Sequence, residues 1–131
     1  MHHRRAACGC GQLRIETSGD PVRISVCHCL ACQTRTGSAF GVQARFALAD
    51  VRIEGTSTRY TRSADSGYEV TFNFCPHCGT TLFWTLARFP DVIAVAVGAF
   101  ADPKFPAPRV SVYEVSRHDW LSIGGDVEHS D

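Results

Sequence analysis

The sequence has 131 residues, 44% hydrophobic and 20% charged, and its 13 Lys+Arg balance 13 Asp+Glu to a formal net charge of zero. That composition predicts one small domain, residues 1–131, long enough to bury roughly two thirds of its unfolded surface without disulfide staples. A pI near 7.0 and no basic stretch beyond His2-His3-Arg4-Arg5 leave no electrostatic footprint for a nucleic-acid backbone or an anionic membrane surface.

The first residues, MHHRRAACGC, pass from charge straight into cysteine with no apolar h-region, so the expectation is a cytoplasmic, reducing address. From there the periodicity is that of strands. Leu13/Ile15, Val22/Ile24/Val26, Phe40/Val42/Ala44/Phe46, Val51/Ile53 and Tyr68/Val70/Phe72/Phe74 each alternate with polar or small neighbours, the pattern of a half-buried strand. Val92 to Val97 is apolar throughout and rich in β-branched residues, which predicts a central strand covered on both faces. The apolar run around it, Val92 to Ala101, is ten residues long, well short of the roughly 20 that cross a bilayer as a helix. Short helical turns are expected only at Cys29 to Arg35 and near His118 to Leu121. Gly19-Asp20-Pro21, Ser63 to Gly67, and Asp102-Pro103 through Pro106 and Pro108 punctuate the chain. No Gly-, Ser- or Pro-rich linker divides it. The echo of Arg14-Ile15-Glu16 in Arg52-Ile53-Glu54 is too short to argue duplication.

Seven cysteines stand out, and all of them fall in clusters: Cys8-Gly9-Cys10, Cys27-His28-Cys29-Leu30-Ala31-Cys32 and Cys75-Pro76-His77-Cys78-Gly79. An odd count of closely spaced thiols in a reducing compartment suits metal better than disulfides. The last cluster, directly after a predicted strand, has the form of a zinc knuckle. Proline fixes the turn after the first thiolate, glycine tolerates positive φ after the second, and backbone N–H groups can face the sulfurs. A knuckle gives two ligands; Cys8 and Cys10 supply two more and complete a closed four-cysteine site. Cys27, Cys29 and Cys32 remain, three thiolates with no fourth cysteine, which is the ligand count of a catalytic zinc with an open position.

Other readings of that second cluster stay open at the level of sequence. A histidine (His77, His118 or the N-terminal pair) could close it into a structural site. Cys29 and Cys32 could form a redox dithiol, although the βαβ pattern that usually carries one is missing. His28, between two ligands, is expected to point away from the metal and act from behind it.

The order C-x-C-G, then C-H-C-x-x-C followed by Thr36-Gly37-Ser38-Ala39-Phe40, then F-C-P-H-C-G-T-T-L, resembles the family of glutathione-dependent formaldehyde-activating enzymes, which includes centromere protein V. The motifs span Cys8 to Leu82; where many members have glycines before the first cysteine, this chain has Ala6-Ala7. The resemblance implies a mostly β fold of the β-tent type, with antiparallel sheets and few short helical turns. It also implies two zinc ions per chain: a structural one on Cys8, Cys10, Cys75 and Cys78, and a catalytic one on Cys27, Cys29 and Cys32. The implied activity is that of a carbon–sulfur lyase forming S-(hydroxymethyl)glutathione from glutathione and formaldehyde.

Two residues beside the second cluster are candidate contacts for a thiol substrate. Arg35 could bind a carboxylate, and Ser38 could donate to an oxygen; the plain alternatives are an exposed cation and a turn hydroxyl. The rival functional class is a non-catalytic, zinc-stabilised interaction module in which both metals are structural.

Overall fold

The computed structural model describes residues 2–131. Among the described residues eleven strands form two sheets. In chain order they are β1 (His3–Ala7), β2 (Arg14–Ser18), β3 (Arg23–Cys27), β4 (Gly41–Ala47), β5 (Val51–Glu54), β6 (Thr58–Ser63), β7 (Glu69–Phe74), β8 (Thr81–Leu86), β9 (Val92–Ala96), β10 (Val110–Val112) and β11 (Glu128–His129). The helical content of the described residues is one α-helix, α1 (Leu30–Thr36), and three short 3-10 turns. The mostly β fold is therefore the one expected.

A three-stranded sheet runs β1-β2-β5, and an eight-stranded sheet runs β11-β10-β3-β4-β9-β8-β7-β6. The sheets are antiparallel as expected except at one edge, where β10 pairs parallel with β3 and β11 parallel with β10. Val110, Ser111 and Val112 lie opposite Ser25, Val26 and Cys27. The long connection from β9 to β10 returns the chain in the direction of β3, so the added strand is parallel.

Alternation sorts the large sheet into two faces. Ile24, Ala44, Phe46, Ile93 and Val95 point to one side and pack with Ala6, Leu13 and Ile15 of the small sheet and its turn. This is the core; fully burying a side chain such as Phe46 or Ile93 contributes about 1.5–3 kcal/mol. Val70, Phe72, Trp84 and Ala94 form a second, smaller cluster on the opposite face. β9 lies between β4 and β8, with Ile93 and Val95 in the first cluster and Ala94 in the second. It is the doubly covered strand that its apolar run predicts. The turn expected near His118 to Leu121 closes with one hydrogen bond, Leu121 N–H to His118 O at 3.1 Å, and does not develop into a helix. Among the described residues no helix is long and apolar enough to cross a membrane.

Candidate metal centres and the cavity beside them

The four-cysteine set joins two hairpin turns. Cys8 and Cys10 sit in the turn from β1 to β2, and Cys75 and Cys78 in the turn from β7 to β8. The four sulfurs lie within 4.8 Å of one another; Cys10 Sγ is 3.6 Å from Cys8 Sγ and 3.7 Å from Cys75 Sγ. Thiolates around one tetrahedral ion at about 2.3 Å would be separated by about 3.8 Å, so the set fits a metal of that geometry. Backbone N–H groups of Leu13 and His77 face the sulfurs of Cys8 and Cys75 at 3.3 and 3.4 Å. The Thr80 hydroxyl donates to Cys78 Sγ at 3.4 Å; with backbone N–H groups it lowers the Cys78 thiol to about 5. Gly79 takes φ +80°, the left-handed value that the knuckle requires of its glycine.

One support of this site is absent from the motif. Gln12 Nε2 donates to Cys75 Sγ at 3.1 Å and to Thr56 O at 2.7 Å, while Thr56 N–H donates back to Gln12 Oε1 at 2.9 Å. Gln12 thereby ties the metal turn to the loop after β5. That approach is close: a Cβ on Gly55 would stand 2.1 Å from Gln12 O.

Cys27 ends β3, Cys29 precedes α1 and Cys32 lies in its first turn. Their sulfurs also lie within 4.8 Å of one another, and no histidine or carboxylate joins them among the described residues. Cys29 caps the helix, its sulfur accepting the Cys32 N–H at 3.4 Å. Hydrogen bonds from the Cys27 and Cys32 thiols hold Cys29 far below the usual thiol range, with a smaller downward push from Arg62. The contact with Cys29 pushes Cys27 far above that range.

His28 turns the other way. Wholly buried, its Nε2 donates to Ser111 Oγ at 2.9 Å, and the Ser111 hydroxyl donates to Glu114 Oε2 at 2.7 Å. Burial lowers the His28 pKa. Gln33 adds a second tie between helix and C-terminal segment, donating to His28 O at 2.9 Å and to Ser116 O at 3.0 Å. His118 donates to Gln33 Oε1 at 2.8 Å and His77 is exposed in the knuckle. Neither joins the three-cysteine set.

The three cysteines open onto a cavity of about 350 Å³ on the face of the large sheet away from the core. Arg35 lines it with its guanidinium 4.3 Å from the Trp84 ring centroid and 5.4 Å from that of Phe72. Gly41 makes room for it; a Cβ there would come within 2.9 Å of an Arg35 terminal nitrogen. Trp84 Nε1 donates to Gln43 Oε1 at 2.9 Å, and Gln43 Nε2 to Ser25 Oγ at 3.2 Å. Ser38 is exposed in the turn after α1, its backbone N–H on Thr36 Oγ1 at 3.1 Å, and is not among the residues lining this cavity. Gln12, Gln33 and Gln43 are the supporting residues that sequence reasoning missed. Gln12 and Gln43 carried a signal, each on the polar side of a predicted strand.

Together these features define a class: small, mostly β proteins with two cysteine sets able to hold metal ions, one closed by four thiols and one of three thiols facing a cavity. The chain belongs to the glutathione-dependent formaldehyde-activating enzyme family, whose profile matches residues 3–116. In fold it is similar to a Rhodobacter sphaeroides protein solved by structural genomics, with a TM-score of 0.59 and 21% identity, over 78% of this chain and 90% of that one. No curated protein gives a significant sequence match.

Proposed function

We propose that the protein is a zinc-dependent carbon–sulfur lyase-type enzyme acting on a thiol adduct, with S-(hydroxymethyl)glutathione formed from glutathione and formaldehyde as its reaction. The observation that carries this reading is the three-cysteine set without a fourth protein ligand, placed on the wall of a cavity. The family match supplies the thiol and the aldehyde. Cys8, Cys10, Cys75 and Cys78 would hold a structural zinc, and Cys27, Cys29 and Cys32 a catalytic one; sulfur-only ligation favours zinc over harder divalent ions. The reading treats residues 1–131 as one zinc-binding domain of the reducing cytoplasm, in keeping with seven cysteines that form no disulfide.

A zinc held by Cys27, Cys29 and Cys32 would supply Lewis acidity that lowers the pKa of the substrate thiol. The chain's own residues do the rest. Cys29, fixed by its place at the start of α1, keeps the sulfurs convergent. The chain from His28 through Ser111 to Glu114 holds the peptide between Cys27 and Cys29 against β10. Arg35, braced on Trp84, offers its guanidinium to a carboxylate of the bound thiol, which positions the sulfur for attack on the aldehyde carbon. The new carbon–sulfur bond forms as the carbonyl π pair moves onto oxygen. That oxygen takes up the proton released by the thiol, and the reverse step restores thiol and aldehyde.

The test is calorimetric titration of glutathione into reduced, zinc-loaded protein, followed by the formaldehyde reaction read by NMR. Saturable binding that disappears in Cys29→Ser is expected. Binding unchanged by that substitution, or no binding at all, overturns the assignment.

A further inference from the structure

The far end of the cavity holds three arginines that the thiol chemistry does not use. Arg23 and Arg45 face each other across β3 and β4, in the same antiparallel register that sets Cys27 opposite Gly41. Cys27, Ser25 and Arg23 alternate onto one face of β3, and Gly41, Gln43 and Arg45 onto the matching face of β4. Arg23 stands four positions before Cys27 along β3, about 13 Å between backbones. Arg88, after β8, completes the group, and all three line the cavity together with Cys27, Cys29 and Cys32.

These cations have no counter-ion. Among the described residues none of the three takes part in an ion pair, although Asp65 and Glu69 line the same cavity. The Nε atoms of Arg23 and Arg45 are buried without a hydrogen-bond partner. Burial, and then the charges of Arg23 and Arg88, lower the pKa of Arg45. The guanidinium of Arg45 lies 4.9 Å and that of Arg88 5.3 Å from the Phe89 ring centroid, with Arg88 also 5.8 Å from that of Tyr68. Aromatic faces offset part of the crowding, but like charges gathered with unpaired donors destabilise a fold by themselves. The arrangement is complementary to an oxyanion, which would pair the charges and fill the empty donors.

We infer that Arg23, Arg45 and Arg88 form an anion subsite for a carboxylate or phosphate at the far end of the thiol ligand. They select multiply charged thiols over neutral ones of the same reactivity. The inference rests on the thiol-accepting reading for the identity of that ligand, but the subsite itself does not need the thiol. Its position assigns it a role separate from Arg35: Arg35 stands beside the sulfur-binding end, and the three arginines stand at the opposite end.

The test measures binding to zinc-loaded protein by calorimetry at one fixed, low salt concentration. The probes are glutathione, glutathione with both carboxylates esterified, S-methylglutathione, which keeps the carboxylates and blocks the thiol, and inorganic phosphate. Arg45→Gln and the more exposed Arg88→Gln are compared with the parent. Glutathione and S-methylglutathione are each expected to lose about tenfold or more in affinity in both variants, the diester less than twofold. Phosphate competing with S-methylglutathione, and weakened alike by the substitutions, would assign the subsite to oxyanions in general; no competition restricts it to carboxylates. If glutathione binds no tighter than S-methylglutathione and both still respond to the arginine variants, the thiol reading falls and the anion subsite stands. Equal losses for glutathione and its diester, or S-methylglutathione and phosphate binding untouched by either substitution, overturn the subsite. Relief of repulsion also predicts that ligand-free Arg88→Gln melts no lower than the parent; a clear drop would mean that this arginine serves the fold.

Discussion

The Arg35 guanidinium lies 4.3 Å from the centroid of the Trp84 ring, across the cavity floor from the helix that carries it. α1 brings Arg35 alongside Cys32, and Gly41 leaves the space in which its terminal nitrogens rest. A planar guanidinium stacked on an aromatic face keeps its direction while remaining free to donate outward. Arg35→Gln is expected to raise the Kd for glutathione about tenfold or more. Arg35→Lys should recover little of that loss, since a point charge on a flexible stem neither stacks nor forks. Calorimetry on zinc-loaded protein decides it; full rescue by lysine would reduce Arg35 to a general positive charge.

The two cysteine sets should fail differently. Cys75→Ser breaks the site that joins both hairpin turns, so its cost should appear in stability, with a Tm lowered by about 10 °C or more and the loss of one metal per chain. Cys29→Ser should also lose one metal yet keep a cooperative transition within a few degrees of the parent. Metal analysis with scanning calorimetry tests the pair, and equal losses of Tm would make the second site structural too.

Gly55→Ala tests the tie between β5 and the four-cysteine turn. Gly55 has φ +101°, and an added Cβ would meet Gln12 O at 2.1 Å. Strain in a left-handed position and displacement of Gln12 together should cost about 2–4 kcal/mol in urea unfolding. The same variant should release its metal to a chelator faster, because Gln12 also donates to Cys75 Sγ. A change under about 0.5 kcal/mol would show that the loop yields.

Glu114 gives the pH dependence a sign. Hydrogen bonds from His129 and Ser111 hold its carboxyl below the ordinary value of 4.5. The unfolded chain therefore takes up the proton first as pH falls, and the contribution of Glu114 is full above 4.5 and lost as pH drops through the depressed native value. Stability should decline below pH 4.5, and Glu114→Gln should show a shallower decline while being less stable at neutral pH. Glu54, lowered by Arg14 and Arg52, titrates in the same window. The difference between parent and variant in urea unfolding therefore isolates Glu114, and parallel profiles would refute the coupling.

Much of this was legible in the residues. Strands β2, β3, β4, β5, β7 and β9 follow from alternation or from an apolar run, and both cysteine sets follow from spacing. What escaped has physical reasons. β6 (Thr58–Ser63) is an exposed edge strand of mostly polar residues, held by backbone pairing with β7, which leaves no hydrophobic period to read. β10 is three residues long, and its parallel partner β3 lies far back in the chain. The cavity was hidden for a subtler reason. Arg23, Ser25, Gln43 and Arg45 read as the polar side of half-buried strands, which ordinarily faces water, whereas here Arg23, Gln43 and Arg45 line a cavity and Ser25 is buried beneath them. Alternation separates two faces but does not say what lies over each.

The pairing of β10 with β3 also sets an order of events during synthesis. His28 reaches its partner Ser111 across 83 residues, so the ribosome delivers the three-thiol cluster long before the strand that braces it. At about 5–20 residues per second that interval is roughly 4–17 s. Throughout it, three neighbouring thiols stand on a nascent chain open to oxidants and to whatever metal is at hand. β10 thus arrives long after the thiols it braces, and metal captured before then is held by a site still without that brace.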